Sequence, residues 1–264
     1  MKMHLILTVF VLSSVFAFAQ RKPKIVYQPR FGLDMPLMIG VGAGLGVAQF
    51  QLRQIEAPTI AEIALLDPMD ISSFDRGATS NWSTTADTWS IVSSSVTMAA
   101  PLLLFLDEKI RQDYQTIWLL GVESFLISDV LGQLLAVNTK RNRPFLYNDD
   151  SSIPEATLLD RRARTSFFSR QTAYASALSF MTAKVYIDYH PKAKHKWLFW
   201  SAAALLPAVT GYLRYQSGEE FPTDIIGGYL VGASVGYLVP AIHKVKDKKS
   251  KKVNNRVSMA DPFL

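Results

Sequence analysis

Apolar residues in this chain come in long blocks separated by short polar loops. After an apolar run at the N-terminus, six blocks follow, at 36–50, 88–106, 115–137, 169–187, 197–213 and 224–243. The last five are near the ~20 residues that carry a helix across a bilayer. The first is shorter and rich in glycine (Gly40, Gly42, Gly44, Gly46), so it is the weakest candidate for a span. Ser, Thr and Gly interrupt the blocks, as suits close helix packing in a membrane. No block alternates with period two, which argues against an outer-membrane barrel. A large soluble bundle with buried helices would give similar blocks, but the N-terminal run and the overall hydropathy favour the membrane. The predicted fold is all-α: a multi-spanning transmembrane helical bundle with five or six membrane helices after a signal peptide.

The N-terminal run defines the first boundary. Lys2 precedes an apolar stretch from Leu5 to Phe16, and Ala17-Phe18-Ala19 supplies small residues before a cleavage point. These are the parts of a secretory signal peptide, with an uncleaved anchor helix as the alternative. The expected organisation is a signal peptide at 1–19 and an N-terminal region with a weak apolar helix at 20–87. A helical membrane domain follows at 88–243, then a basic tail at 244–264.

Composition narrows the chemistry. Of 264 residues, 49% are hydrophobic and 19% charged, against about 25% charged in ordinary soluble proteins. The mean hydropathy is +0.13, and this balance excludes disorder. There is no cysteine, so disulfides, thiolate nucleophiles and cysteine-held metals are excluded. The four histidines are His4, His190, His195 and His243.

The net charge of +6 is not a nucleic-acid signal, because the chain enters the secretory route. Lys192, Lys194 and Lys196 share one loop, and a run from Lys244 to Lys252 fills the tail. Positive loops stay cytoplasmic, which puts the 138–168 loop outside, in the periplasm of a Gram-negative cell. That loop carries Lys140, Arg141, Arg143, Arg161, Arg162 and Arg164. Either the topology is inverted or these cations serve another purpose.

Three segments carry candidate chemistry: Lys140 to Pro144, Ser166 to Ala173, and Arg214 to Asp224. If the helices around them form consecutive hairpins, all three lie at one membrane face. Arg143, Arg170 and Arg214 are then expected to converge as a phosphate clamp, since guanidinium binds phosphate in a bidentate manner. Ser169 at a helix start adds a hydroxyl and backbone N–H groups. Taken singly, each arginine also reads as an interfacial anchor.

In order and spacing, these segments resemble the type 2 phosphatidic acid phosphatase family, related to the vanadium haloperoxidases. The resemblance runs from about Phe74 to Pro240. Arg143-Pro144 matches the end of the first family motif. Ser169, with Thr172-Ala173 after it, matches the second; Arg214 and Asp224, with Phe221-Pro222-Thr223 between, match the third. Asp75-Arg76 also looks like bacterial members, without carrying chemistry.

The departures fall on the catalytic positions. Ala136 stands for the motif lysine, Arg170 for a glycine, Gln171 for the second-motif histidine and Glu220 for the third-motif histidine. In the family the latter histidine attacks phosphorus, the aspartate orients it, and the other histidine protonates the leaving group. A carboxamide at Gln171 cannot be a general acid near neutral pH. Glu220 could attack, since carboxylates form acyl phosphates. It could also pair with Arg170 or Arg214 and close the pocket.

The resemblance therefore implies a degenerate membrane member with Gln171, Glu220 and Asp224 at the catalytic positions. Arg143, Ser169, Arg170 and Arg214 would form the phosphate site. The alternatives are a lipid or isoprenoid phosphatase working through Glu220 and Asp224, or a non-catalytic interaction or transport protein. The expected partners are membrane lipid and a lipid or isoprenoid phosphate, with no nucleic acid, metal or cofactor.

Overall fold

The computed structural model describes residues 25–245; the segment expected to be a signal peptide and most of the basic tail lie outside them. Among the described residues, six long helices match the six apolar blocks: α1 (Phe31–Gln54), α2 (Thr84–Ala99), α3 (Tyr114–Thr139), α4 (Arg170–Tyr189), α5 (Lys196–Gln216) and α6 (Pro222–His243). A 3₁₀ segment, Ala100–Leu106, continues α2 past Pro101. No strand occurs among the described residues beyond one isolated bridge between Tyr27 and Lys244.

Local chemistry sets the helix ends that matter for the site. Ser83 caps α2 by accepting from the Ala86 N–H at 3.1 Å. Ser169 caps α4 by accepting from Thr172 N–H at 3.3 Å. Pro222 occupies the first turn of α6, where its missing N–H costs nothing. Asp224 Oδ2 accepts from the Phe221 N–H at 3.0 Å there. After α5 the chain turns at Gly218, whose φ is +73°. A side chain at Gly218 would also strike the Asn81 carbonyl at 2.1 Å, so this turn requires glycine twice over.

Four of the helical segments are long and apolar enough to cross a membrane: Phe31–Gln54, Thr84–Leu106, Tyr114–Tyr147 and Pro222–His243. The glycine-rich first block is thus a helix of 24 residues, longer than its apolar stretch suggested. α4 and α5 have spanning length but fall outside this set. The bundle explains α4. It is the central helix, packed against α2, α3, α5 and α6, so most of its polar residues, Arg170 excepted, face protein. Large apolar side chains instead cover the outside, among them Ile39, Leu103, Leu205 and Leu230.

The closest packing is between α4 and α6. An added Cβ at Gly228, Gly232 or Gly236 would meet the carbonyl oxygens of Ser169, Ala173 and Ala177 at 2.2, 2.0 and 2.1 Å. These three glycines form a small-residue seam along α6. Gly227 is not part of it and faces Phe167 and Phe168 with ordinary spacing. The glycines of α1 differ from expectation. Gly44 lies against Val130, but Gly40, Gly42 and Gly46 have open space beside them. α1 packs mainly on α3, so one face of it meets protein and the rest does not.

Candidate functional site

The end of α3, the start of α4, the end of α5 and the start of α6 come together at one end of the bundle. All three candidate segments are therefore at one face. His190, His195 and His243 lie at the far ends of the helices that bear them.

The anchor of the site is Asp224, fully buried in the first turn of α6. Ser166 donates its hydroxyl to Asp224 Oδ2 at 2.5 Å. Arg141 Nη1 donates to Oδ1 at 2.5 Å. The other arm of Arg141 reaches Asp75 Oδ2 at 2.8 Å, and its guanidinium lies 4.2 Å from the centre of the Phe221 ring. Asp75 in turn accepts from the Thr223 N–H at 3.0 Å and the Thr223 hydroxyl at 2.7 Å. Asp75 is buried. It ties the segment before α2 to the start of α6 through Arg141 and Thr223, a structural role.

Next to this anchor lie two arginines and two glutamates. Glu220 is buried, with Oε1 at 3.4 Å from Arg214 Nη2 and 3.5 Å from Arg143 Nη1. Its Oε2 lies 3.4 Å from the Ser166 hydroxyl. Glu219 binds the same two arginines: Arg214 Nη2 at 3.2 Å, and Arg143 Nη1 in a close ion pair. Arg214 also reaches Asp87 on α2 at 2.6 Å. Arg143 donates through Nε to the Arg162 carbonyl at 3.1 Å. Every charged group here has a partner, as burial demands.

The two glutamates titrate in opposite directions. Burial pushes the Glu220 carboxyl up to about 7, and the Arg143 and Arg214 charges only partly offset it. Burial also acts against Glu219, but the Arg143 and Arg214 guanidiniums outweigh it and hold that carboxyl below its usual range. Glu219 is therefore the ionised partner at neutral pH, while Glu220 sits near its midpoint.

The remaining candidates are near this cluster but not in it. The Ser169 hydroxyl is engaged with Thr172, at 2.9 Å from Thr172 Oγ1. Gln171 donates from Nε2 to the Ser90 and Ser94 hydroxyls of α2, at 3.1 and 3.0 Å. Arg170 does not pair with Glu220. It points to α3, where its nearest carboxylate is Asp129 at 3.6 Å. Its stem covers Gly132, where an added Cβ would meet Arg170 Cγ at 2.6 Å. The expected clamp of three arginines is thus a pair, Arg143 and Arg214, closed by glutamates. Arg170 joins Arg143, Arg162, Gln49, Gln133 and Thr165 around a small neighbouring cavity. Lys140 ends α3 in a left-handed turn, φ 48°, and is exposed.

Sequence reasoning missed Arg141, Ser166, Asp87 and Glu219 as parts of the site. Only Glu219 left a legible signal, as the first carboxylate of a Glu-Glu pair, five residues after Arg214. Arg141 hid in a basic run, where nothing marks one arginine for the interior.

The geometry can do two things. It can hold an anion between Arg143 and Arg214, which Glu219 and Glu220 do from within. It can also hold and release a proton at Glu220. No curated protein and no solved structure matches the chain. The family model described as PAP2 superfamily matches residues 117–248, half of the chain, from near the start of α3 to beyond α6. With the arginines and aspartate of the three motifs gathered at one end of an all-helical membrane bundle, the chain belongs to the PAP2 superfamily.

Proposed function

We propose that this protein is a catalytically degenerate PAP2 membrane protein whose phosphate site is occupied by its own carboxylates. One observation carries this reading: Glu220 lies 3.4 Å from Arg214 and 3.5 Å from Arg143, the two arginines that the family motifs assign to phosphate. A phosphate dianion entering there would have to displace Glu219 and Glu220 and then lie against them. The proton chemistry points the same way. Gln171 has no acidic proton to give a leaving group, and its carboxamide is tied to Ser90 and Ser94. The residues that hold the frame, Asp224, Arg141 and Asp75, form a fully paired network. The fold persists as a membrane scaffold without phosphohistidine chemistry, its motif face directed away from the cytoplasm.

A second reading rests on the Glu220 carboxyl. A group with a pKa of about 7 is suited to proton transfer at neutral pH. In that case Glu220 serves as base or nucleophile toward a lipid or isoprenoid phosphate, and Asp224 holds the frame.

Phosphate release by the purified protein in detergent, on a panel of lipid phosphates and diphosphates, separates the two. The first reading expects no release, and release regained when Arg170→Gly, Gln171→His and Glu220→His are combined. Wild-type release that disappears in both Asp224→Ala and Glu220→Gln would overturn it in favour of the second.

A further inference from the structure

At the opposite end of the bundle three acid–base side chains from three helices meet in the interior. Asp34 comes from the first turn of α1, Glu123 from α3 and His243 from the last turn of α6. Their relative exposures are 4%, 0% and 3%. One ligand atom from each lies within 4.8 Å of the other two.

The hydrogen bonds fix the state of the histidine. His243 Nδ1 is 2.8 Å from the Val239 carbonyl oxygen. A carbonyl can only accept, so Nδ1 carries a proton. The other nitrogen, Nε2, faces Asp34 Oδ1 at 2.9 Å and Glu123 Oε2 at 3.7 Å. In the neutral ring Nε2 bears a lone pair, so its contacts with two carboxylates need either a shared proton or a metal ion between them. Neither oxygen of Glu123 has a hydrogen-bond donor among the described residues.

Among the described residues, no neighbouring side chain supplies a compensating positive charge. Lys184 and Lys244 are both paired with Asp188. Arg30 is exposed and gives Asp34 only its backbone N–H, at 2.7 Å. With both carboxylates ionised, protonating His243 would leave one uncompensated negative charge in a buried interior. A divalent cation would balance both carboxylates.

We propose that Asp34, Glu123 and His243 form a binding site for a divalent transition-metal ion of the Zn²⁺ class. Ligand atoms ~2.0–2.2 Å from a tetrahedral ion lie about 3.4 Å apart, and the separations of 2.9 and 3.7 Å bracket that spacing. One imidazole nitrogen with two carboxylates suits Zn²⁺ or Mn²⁺ better than the harder Mg²⁺ or Ca²⁺. The outer contacts are those of a metal-bound histidine: Nδ1–H on a backbone carbonyl fixes the ring, and the Arg30 N–H holds the far oxygen of Asp34. The ion joins α1, which otherwise packs mainly on α3, to the end of α6. The site is independent of the PAP2 motif face. The sequence shows no metal signature because each ligand comes from a different helix.

The test uses the full chain in detergent, stripped with a chelator and titrated with Zn²⁺ and Mn²⁺, with metal content read by mass spectrometry and thermal stability by tryptophan fluorescence. The proposal expects about one ion per chain and a rise in Tm on addition. Glu123→Gln keeps the volume of the side chain, and it and His243→Gln should each weaken binding by at least about a hundredfold. Failure of wild type to bind or to gain stability would overturn the proposal. So would binding by either variant as tight as that of the wild type. A Glu123→Gln protein that is more stable than wild type, with no response to metal in either, would assign the cluster to a shared proton instead.

Discussion

The raised Glu220 carboxyl makes stability depend on pH in a direction that can be worked out. Its pKa rises from the ordinary 4.5 to about 7 in the fold. Between these values the folded chain holds a proton that the unfolded chain has released. Stability therefore falls as pH rises through this window and levels off above it. A rise of that size corresponds to on the order of 3 kcal/mol. Glutamine mimics the protonated acid and cannot ionise, so Glu220→Gln should lack this loss. Below the unfolded value, near pH 4, the variant and the wild type should melt together. By pH 8 the variant should be the more stable, by roughly 6–12 °C at about 2–4 °C per kcal/mol. The assay is thermal unfolding in detergent followed by tryptophan fluorescence, with the two proteins compared at each pH. All other titrating groups are common to both and cancel in the difference. A difference that stays constant from pH 4 to pH 8 would refute the reasoning. A variant less stable at every pH would mean that the ion pairs to Arg143 and Arg214 outweigh the cost of burying the charge.

Other perturbations probe the frame. Asp75→Ala strips Arg141 and Thr223 of a buried partner and should cost about 3–5 kcal/mol, seen as a large fall in Tm. Gly232→Ala forces a methyl against the Ala173 carbonyl and should sharply reduce folded yield, whereas Gly42→Ala, with open space beside it, should leave yield unchanged. Ser169→Ala removes the α4 cap and should cost about 1 kcal/mol in the same melting assay. Arg170→Gly breaks a part-exposed contact with Asp129 and should cost no more than about 1 kcal/mol for the lost pair.

The helices were legible because membrane helices declare themselves by length and apolarity. Six blocks became six helices, and even the doubtful first one did. What was hidden was which polar residues face inward. Arg143, Arg214 and Asp224 could be placed from motif spacing, since each sits at a helix end that hairpin topology brings to one face. Arg170 could not. Its position follows from Gly132 on a neighbouring helix, which leaves room for the arginine stem to lie over α3, away from Glu220. Asp75 and Arg141 were equally opaque, because their pairing spans 66 positions and no local pattern records it. The cluster of Asp34, Glu123 and His243 lay beyond sequence reasoning for the same reason.

The glycine ridge of α6 has a consequence for how the protein is made. α4 is outside the set of helices apolar enough to cross a bilayer on their own, and it carries Arg170, Gln171, Lys184 and Asp188. A lone helix of this kind is poorly accepted by lipid. Gly228, Gly232 and Gly236 let the α6 backbone press directly on the carbonyls of α4, the contact by which lipid-embedded helices associate. α4 therefore depends for its place in the bilayer on a helix synthesised more than thirty residues later. During biogenesis α2 and α3 can shelter part of α4, but its seat is complete only when α6 emerges.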